Sequence, residues 1–210
     1  RWSLIDDDVI REGGPEHLGA AELEYRMRKF GADGISFETI VASGINGAKP
    51  HHSTSTDPIQ KGLITIDFGV YLNGYASDQT RLVSVGEPPE KQRDIADTVY
   101  RAFLAGCEAV RPGAGLFAID KVCRDIIDAA GYGEYFVHST GHGVGLDVHE
   151  RPYSASRTDK TKTIEVGQTL TIEPGIYVPG LSGARIENTL VVTEDGSRPL
   201  NTSNPALTVV

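Results

Sequence analysis

Apolar and polar positions change period several times along the 210 residues of this chain. From Pro15 to Phe30, Leu18, Ala21, Leu23, Tyr25 and Met27 supply the apolar faces of a helix, and Gly31 stands where a helix stop belongs. Residues 36–42 read as a strand. Residues 44–58, rich in Gly, Asn, Ser, Thr and Pro, read as a loop. Over 63–71 apolar residues alternate, which predicts a strand, and Asn73-Gly74 is a hairpin signal before a second strand over 80–85. Past Pro88-Pro89 the period becomes helical. Ile95, Val99, Ala102, Phe103 and Val110 predict a helix over 90–110, stopped by Pro112-Gly113. Ile119, Val122, Cys123, Ile126, Ile127 and Ala130 predict another, closed by Gly131. Short strands are expected around Phe136, over 169–172 and over 186–193. Residues 1–14 are acidic and irregular (Asp6, Asp7, Asp8, then Gly13-Gly14), so one folded domain is expected over 15–210, with no low-complexity linker dividing it.

The chain also echoes itself. Ile66-Asp67-Phe68-Gly69-Val70-Tyr71 recurs as Ile172-Glu173-Pro174-Gly175-Ile176-Tyr177. After each copy comes a hairpin-like break and a second acid, Asp78 in the first and Glu187 in the second. Each second acid leads into a β-branched run, Leu82-Val83-Ser84-Val85 or Leu190-Val191-Val192-Thr193. The pattern predicts two similar α+β halves related by a pseudo-two-fold axis.

Composition narrows the function. With 39% hydrophobic and 23% charged residues the chain is an ordinary globular one, which excludes collagen, coiled coil and wholesale disorder. A net charge of -9 argues against a nucleic-acid partner and leaves cations as suitable ligands. Cys107 and Cys123 form no framework and read as buried thiols in helices. No apolar run is long enough to span a membrane and no export signal opens the chain, so a cytoplasmic setting is expected. The first residue is Arg1, as expected of a processed chain or a piece of a longer protein.

Four acids at matching places call for a physical reason. Asp67 and Glu173 each follow an apolar strand, where an unpaired carboxylate is costly, and four acids brought together repel. Arg81 and Arg185 are too few to neutralise them. Two divalent cations would, and carboxylate and imidazole donors without thiolate suit Mn²⁺, Co²⁺, Fe²⁺ or Zn²⁺. Imidazoles lie close by in the sequence: His51 and His52 after Pro50, then His138, His142 and His149 in a Gly-rich stretch. Imidazole ligates metals, donates to oxyanions and carries protons near neutral pH. The glycines around His142 permit close backbone approach. His17 reads as a solvated helix residue.

Five ordered segments now form a recognisable set: 39–44 with Pro50-His51, Asp67-Phe68-Gly69 with 77–81, Gly141-His142-Gly143-Val144-Gly145 with His149-Glu150, Glu173-Pro174-Gly175, and Arg185-Ile186-Glu187. Together they resemble the pita-bread metallopeptidase family, peptidase M24, and within it the Xaa-Pro dipeptidases and aminopeptidases P. The resemblance implies an α+β fold of two pseudo-two-fold-related α/β halves around a curved antiparallel sheet. It implies two metal ions, Mn²⁺ first among the candidates. Asp67 would be a terminal, bidentate ligand, Asp78 and Glu187 would bridge, and His142 and Glu173 would hold the second metal. His51, His138 and His149 match histidines that line the substrate pocket, and Arg185 matches an arginine suited to a substrate carboxylate. The activity implied is hydrolysis of the bond before proline in dipeptides or short peptides, with a metal-bridging hydroxide as nucleophile and Glu173 shuttling the proton. A methionine aminopeptidase-like enzyme, a hydrolase of small non-peptide carbon–nitrogen bonds, and an inactive binding or scaffold member stay as alternatives. Departures from the family pattern are expected as well: the stretch from His51 to Asp67 is one residue shorter than usual and lacks the customary acid, Asn188 stands where an aspartate is common, the helix before the first strand pair reads as cut short, and the usual amino-terminal domain is not expected in this sequence. A homodimer is left open.

Overall fold

The computed structural model describes residues 9–210; the acidic run Asp6, Asp7 and Asp8 lies outside them. Helix α1 (Glu16–Lys29) occupies the first predicted helical stretch, with Glu16 in its first turn. The strand expected over 36–42 is shorter and shifted. A two-residue β1 (Gly34–Ile35) stands apart from β2 (Ile40–Ser43), which runs into a 3-10 turn at Gly44–Ala48.

The alternating stretch after Gly62 is two strands rather than one. β3 (Gly62–Phe68) and β4 (Val70–Leu72) belong to different sheets. The break is at Gly69, where a Cβ would stand 2.0 Å from the Ser77 carbonyl oxygen, so the chain turns where only glycine fits. β4 then pairs with β5 (Tyr75–Ala76) across Asn73-Gly74, both at positive φ, as a two-residue hairpin requires. β6 (Gln79–Val85) returns antiparallel to β3, with Asp67 opposite Thr80. The sheet order is β14-β6-β3-β2, where β14 (Thr208–Val209) adds the parallel pairing.

Period-two alternation turns the faces of β3 to different partners. Ile64 and Ile66 pack with Val41, Val83, Ala20 and Ile10 under α1. Leu63 points the other way, into the larger core beneath α2 (Glu90–Ala109) and α3 (Leu116–Ala129). Asp67 shares the parity of Leu63, so it faces the second half of the chain. In that half, β9 (Thr169–Ile172) pairs antiparallel with β12 (Asn188–Val192), Ile172 opposite Asn188. Leu170, Ile172, Leu190 and Val192 enter the core, joined from α2 and α3 by Ile95, Val99, Phe103, Ile119 and Ile127. β13 (Ser197–Pro199) pairs with β12. The hairpin of β10 (Gly175–Val178) and β11 (Ser182–Arg185) fills the stretch between the last two acids.

The two halves are therefore built alike, each on an antiparallel strand pair with two acids at one end. They meet where the Glu187 amide donates to the Thr80 carbonyl and the Thr189 hydroxyl donates to the Asp78 carbonyl. One further expectation fails. Around Phe136 there is no strand but a 3-10 turn, Gly133–Tyr135. The buried Phe136 ring is covered by the Arg124 guanidinium, which also donates to the Phe136 and His138 carbonyls, so these carbonyls are satisfied by a side chain rather than by a strand. β7 (Gly141–Gly143) and β8 (Glu150–Ser154) follow as a short antiparallel pair.

Candidate metal centre

The acids of the echo all stand at or beside strand ends. Asp67 is near the end of β3, Asp78 just before β6, Glu173 just after β9, and Glu187 between β11 and β12. His142 is the middle residue of β7, pressed against β9. A Cβ at Gly141 would lie 1.7 Å from the Thr171 carbonyl oxygen, and one at Gly143 would lie 2.4 Å from that of Arg151, so both flanking glycines are sterically required. Ligand-type atoms converge in three overlapping groups, each within 4.8 Å: Asp67, Asp78 and Glu187; His142, Glu173 and Glu187; and Asp78, His142 and His149. The five residues expected as ligands are thus brought together, with His149 beside them.

Direct contacts show how each is aimed. His142 Nδ1 donates to its neighbour's carbonyl, Gly143 O, at 2.9 Å, which directs Nε2 into the cluster, 3.1 Å from Glu173 and 3.6 Å from Asp78. The Thr171 hydroxyl donates to Glu173 Oε1 at 3.0 Å, and that of Thr80 donates to Glu187 Oε2 at 2.7 Å. Asp67 Oδ2 accepts from Arg185 at 2.7 Å. The other oxygens, Asp67 Oδ1 and Glu187 Oε1, are buried and have no hydrogen-bond partner among the described residues. A buried carboxylate oxygen left unpaired is costly, and an oxygen-seeking cation is the partner that fits.

Electrostatics agree. Burial, then the charges of Glu187, Asp67 and Glu173, pushes Asp78 well above the usual carboxylate range. Burial, then Glu173 and Asp67, does the same to Glu187. Asp67 is raised by burial against the opposing pull of Arg185. Burial would also raise Glu173, but the His142 hydrogen bond and charge outweigh it and hold Glu173 down at about 2. Burial would lower His142, yet the Glu173 contact lifts it to about 9. Protons on these groups thus stand in for missing positive charge, and a bound cation would displace them. Arg81 does not help. Its guanidinium donates to the carbonyls of Thr80 and Glu187 and to Asn188, Gln79 and Ser203. Among the described residues Arg185–Asp67 is the arginine–carboxylate pair in the cluster.

The cluster forms one wall of a cavity of about 620 Å³ that also takes in His51, His138, His149 and Arg185. His51 is exposed to it, whereas His52 is held by Glu16. The His149 ring lies 4.3 Å from that of His142, tilted by 52°, and its pKa is lowered by burial and by the His142 charge. His138 is also lowered, first by burial, and both of its nitrogens are engaged: Nδ1 donates to Ser139 O and Nε2 accepts from Tyr177. Arg185 is buried deeper than a substrate arginine need be. It donates to Thr80, to the Pro50 carbonyl, to Tyr177 and to Asp67. Tyr177 was not singled out from the sequence, although it closes the second copy of the echo. Thr171 carried no such signal; it reads as another β-branched strand residue.

The model of metallopeptidase family M24 matches residues 4–194. Among curated proteins, the Xaa-Pro dipeptidase of Pyrococcus furiosus is 46% identical over 194 residues, covering 92% of this chain and 55% of that protein. The Xaa-Pro dipeptidase of Lactobacillus helveticus is 42% identical over 208 residues, covering 98% and 56%. Among solved structures, the prolidase from Pyrococcus furiosus superposes with a TM-score of 0.90 at 42% identity, over 96% of this chain and 61% of that one. The X-Pro aminopeptidase from Thermotoga maritima superposes at 0.93 and 40%, over 99% and 59%. The chain spans little more than half the length of these relatives.

Proposed function

The chain belongs to metallopeptidase family M24, and on that premise we propose that it hydrolyses the Xaa-Pro bond of dipeptides or short peptides. The observation that carries the reading is the convergence of Asp67, Asp78, His142, Glu173 and Glu187 at the wall of one cavity, with two buried carboxylate oxygens unpartnered. Names of relatives add the proline preference. Two divalent cations held by these five residues, Mn²⁺ being the first candidate, would supply Lewis acidity and make a water a strong nucleophile near neutral pH.

The chain's own groups do the rest. Glu173, ionised at neutral pH, is oriented by Thr171 and His142 to accept a proton and return it to the leaving nitrogen. That return matters because the proline nitrogen of a tertiary amide carries no proton of its own. His149, which lines the cavity with its pKa lowered by burial, would donate an N–H to the carbonyl oxygen of the scissile bond. His138, joined to Arg185 through the Tyr177 hydroxyl, holds the pocket wall, and His51 faces the substrate. Arg185 keeps Asp67 aimed inward and retains N–H capacity toward a substrate carboxylate.

Release of free proline from Ala-Pro by chain loaded with Mn²⁺ tests the proposal. Proline release is the expected result. No release under any divalent metal, from protein shown to hold the metals, would overturn it. Release of methionine from a Met-Ala peptide instead would move the assignment to the methionine aminopeptidase branch.

A further inference from the structure

Glu16 has no part in the chemistry above, yet its carboxylate is completely buried at the first turn of α1. Every group around it is a donor. Oε1 accepts from the Ser43 amide at 2.9 Å and from Asn46 at 3.2 Å. Oε2 faces His52 Nε2 at 2.8 Å and accepts from the Ser55 hydroxyl at 3.0 Å. The Ser55 oxygen itself accepts from the Asp57 amide, so its proton goes to Glu16. A carboxylate so surrounded is the acceptor throughout, which places a proton on His52 Nε2.

Ser43 ends β2, and the other donors, Asn46, His52 and Ser55, come from the segment that follows it. Residues 50–54 of that segment line the cavity of the metal centre. Among the described residues this stretch, 50–54, is gripped from outside at three of its residues. The Pro50 carbonyl accepts from Arg185, the Thr54 hydroxyl donates to the Thr39 carbonyl, and His52 is held by Glu16. Only the Glu16 contact acts through a side chain directly adjacent to His51.

We propose that Glu16 is a positioning residue: through His52 it fixes the 50–54 wall and hence the place of His51 in the substrate pocket. The catalytic consequence rests on the Xaa-Pro reading; the structural one does not. Glu16 touches neither substrate nor metal ligand in this scheme, so removing its grip should loosen the wall while leaving the metal centre intact.

Glu16→Ala alone would be ambiguous, because it strands the Ser43 amide as well and is at risk of misfolding. His52→Leu and His52→Gln separate the cases, since Gln can still donate to Glu16 and Leu cannot. Hydrogen–deuterium exchange of the full chain is read over 49–56, with 62–68 as internal control. His52→Leu is expected to raise exchange over 49–56 by about tenfold, the effect of losing one charge-assisted hydrogen bond. The control should not change, and His52→Gln should return most of the protection. In the same variants Mn²⁺ binding should stay at the wild-type level, while KM for Ala-Pro rises more than kcat falls in His52→Leu and recovers in His52→Gln. Wild-type exchange over 49–56 in His52→Leu, or equal loss in both variants, would overturn the proposal. Failure of the wild type to cleave Ala-Pro would count against the Xaa-Pro reading alone, and the exchange comparison would still decide the role of Glu16.

Discussion

Asp67 Oδ1 and Glu187 Oε1 concentrate the chemistry of the site into two atoms: buried, negatively charged when ionised, and without a hydrogen-bond partner among the described residues. Replacing Glu187 by alanine removes one such atom together with its Thr80 contact. Divalent affinity, read by calorimetry, is expected to fall by about a hundredfold or more, beyond the 10–100-fold typical of residues that merely orient ligands. Acidity gives a second prediction. Asp78 and Glu187 titrate above their ordinary 3.8 and 4.5 in the folded chain, so their contribution to stability is lost as pH rises through those raised values. His142, raised to about 9, acts in the same direction, its contribution being lost as pH passes about 9. Glu173, held at about 2, acts oppositely, its contribution being lost only as pH falls from 4.5 toward 2. Below about pH 6.5 the lowered His138 and His149 act oppositely, their stability being gained as pH rises. Above it, chelator-treated protein should melt at lower temperature as pH climbs from 6.5 toward about 9, and added Mn²⁺ should raise the melting point more at the upper end of that range than at its start. A melting point that rises with pH over that range would contradict the raised His142 and acids.

At this scale the sequence was informative about residue type and poor about partners. Five carboxylate and imidazole positions could be read from a repeated motif because strand ends and glycine spacing leave a mark. That Arg185 backs Asp67, that His52 rather than His51 is held by Glu16, and that Arg81 serves carbonyls instead of acids all depend on contacts between distant segments, which no local pattern carries.

Elements place these residues through parity and close approach. On β3 the alternation that sends Ile64 and Ile66 under α1 also sends Asp67 toward the other half, so a one-residue slip of β3 against β6 would turn it away from the cluster. The helices were readable to within about a residue at their ends, save the start of α3 at Leu116, three residues before the first apolar position read there, because their apolar stripes are long. Of the strands, the longer ones were legible, 169–172 being β9 and 80–85 lying within β6, whereas β1, β5 and β7, two or three residues each, are set by tertiary contacts and left no such mark. The approach to β7 depends on α3. Asp120 accepts from the amide and hydroxyl of Thr140 and from Arg124, which in turn holds the carbonyls of Phe136 and His138. Asp120→Ala leaves a buried amide and an arginine without their acceptor. It is expected to cost about 3 kcal/mol, or a drop in melting temperature of about 6–12 °C. A drop under 2 °C in a thermal melt would show that the contact does not hold this segment. Gly141→Ala should do more harm than its size suggests, because β7 cannot approach β9 with a methyl in the way; loss of Mn²⁺ binding in folded protein is the expected readout.

The whole molecule is two like halves closed on each other, so that each supplies acids the other cannot neutralise. This was legible from the echo of Ile66–Tyr71 in 172–177, and it explains why the cluster lies between strand pairs rather than within one. The chain covers little more than half of its curated relatives. The most direct measurement is anomalous diffraction at the manganese edge from crystals of the chain grown with Mn²⁺. Two peaks are expected, both within ligand distance of the set formed by Asp67, Asp78, His142, Glu173 and Glu187. Crystals with no peak there, or with these side chains turned outward into solvent, would contradict a cation-bridged pair of halves.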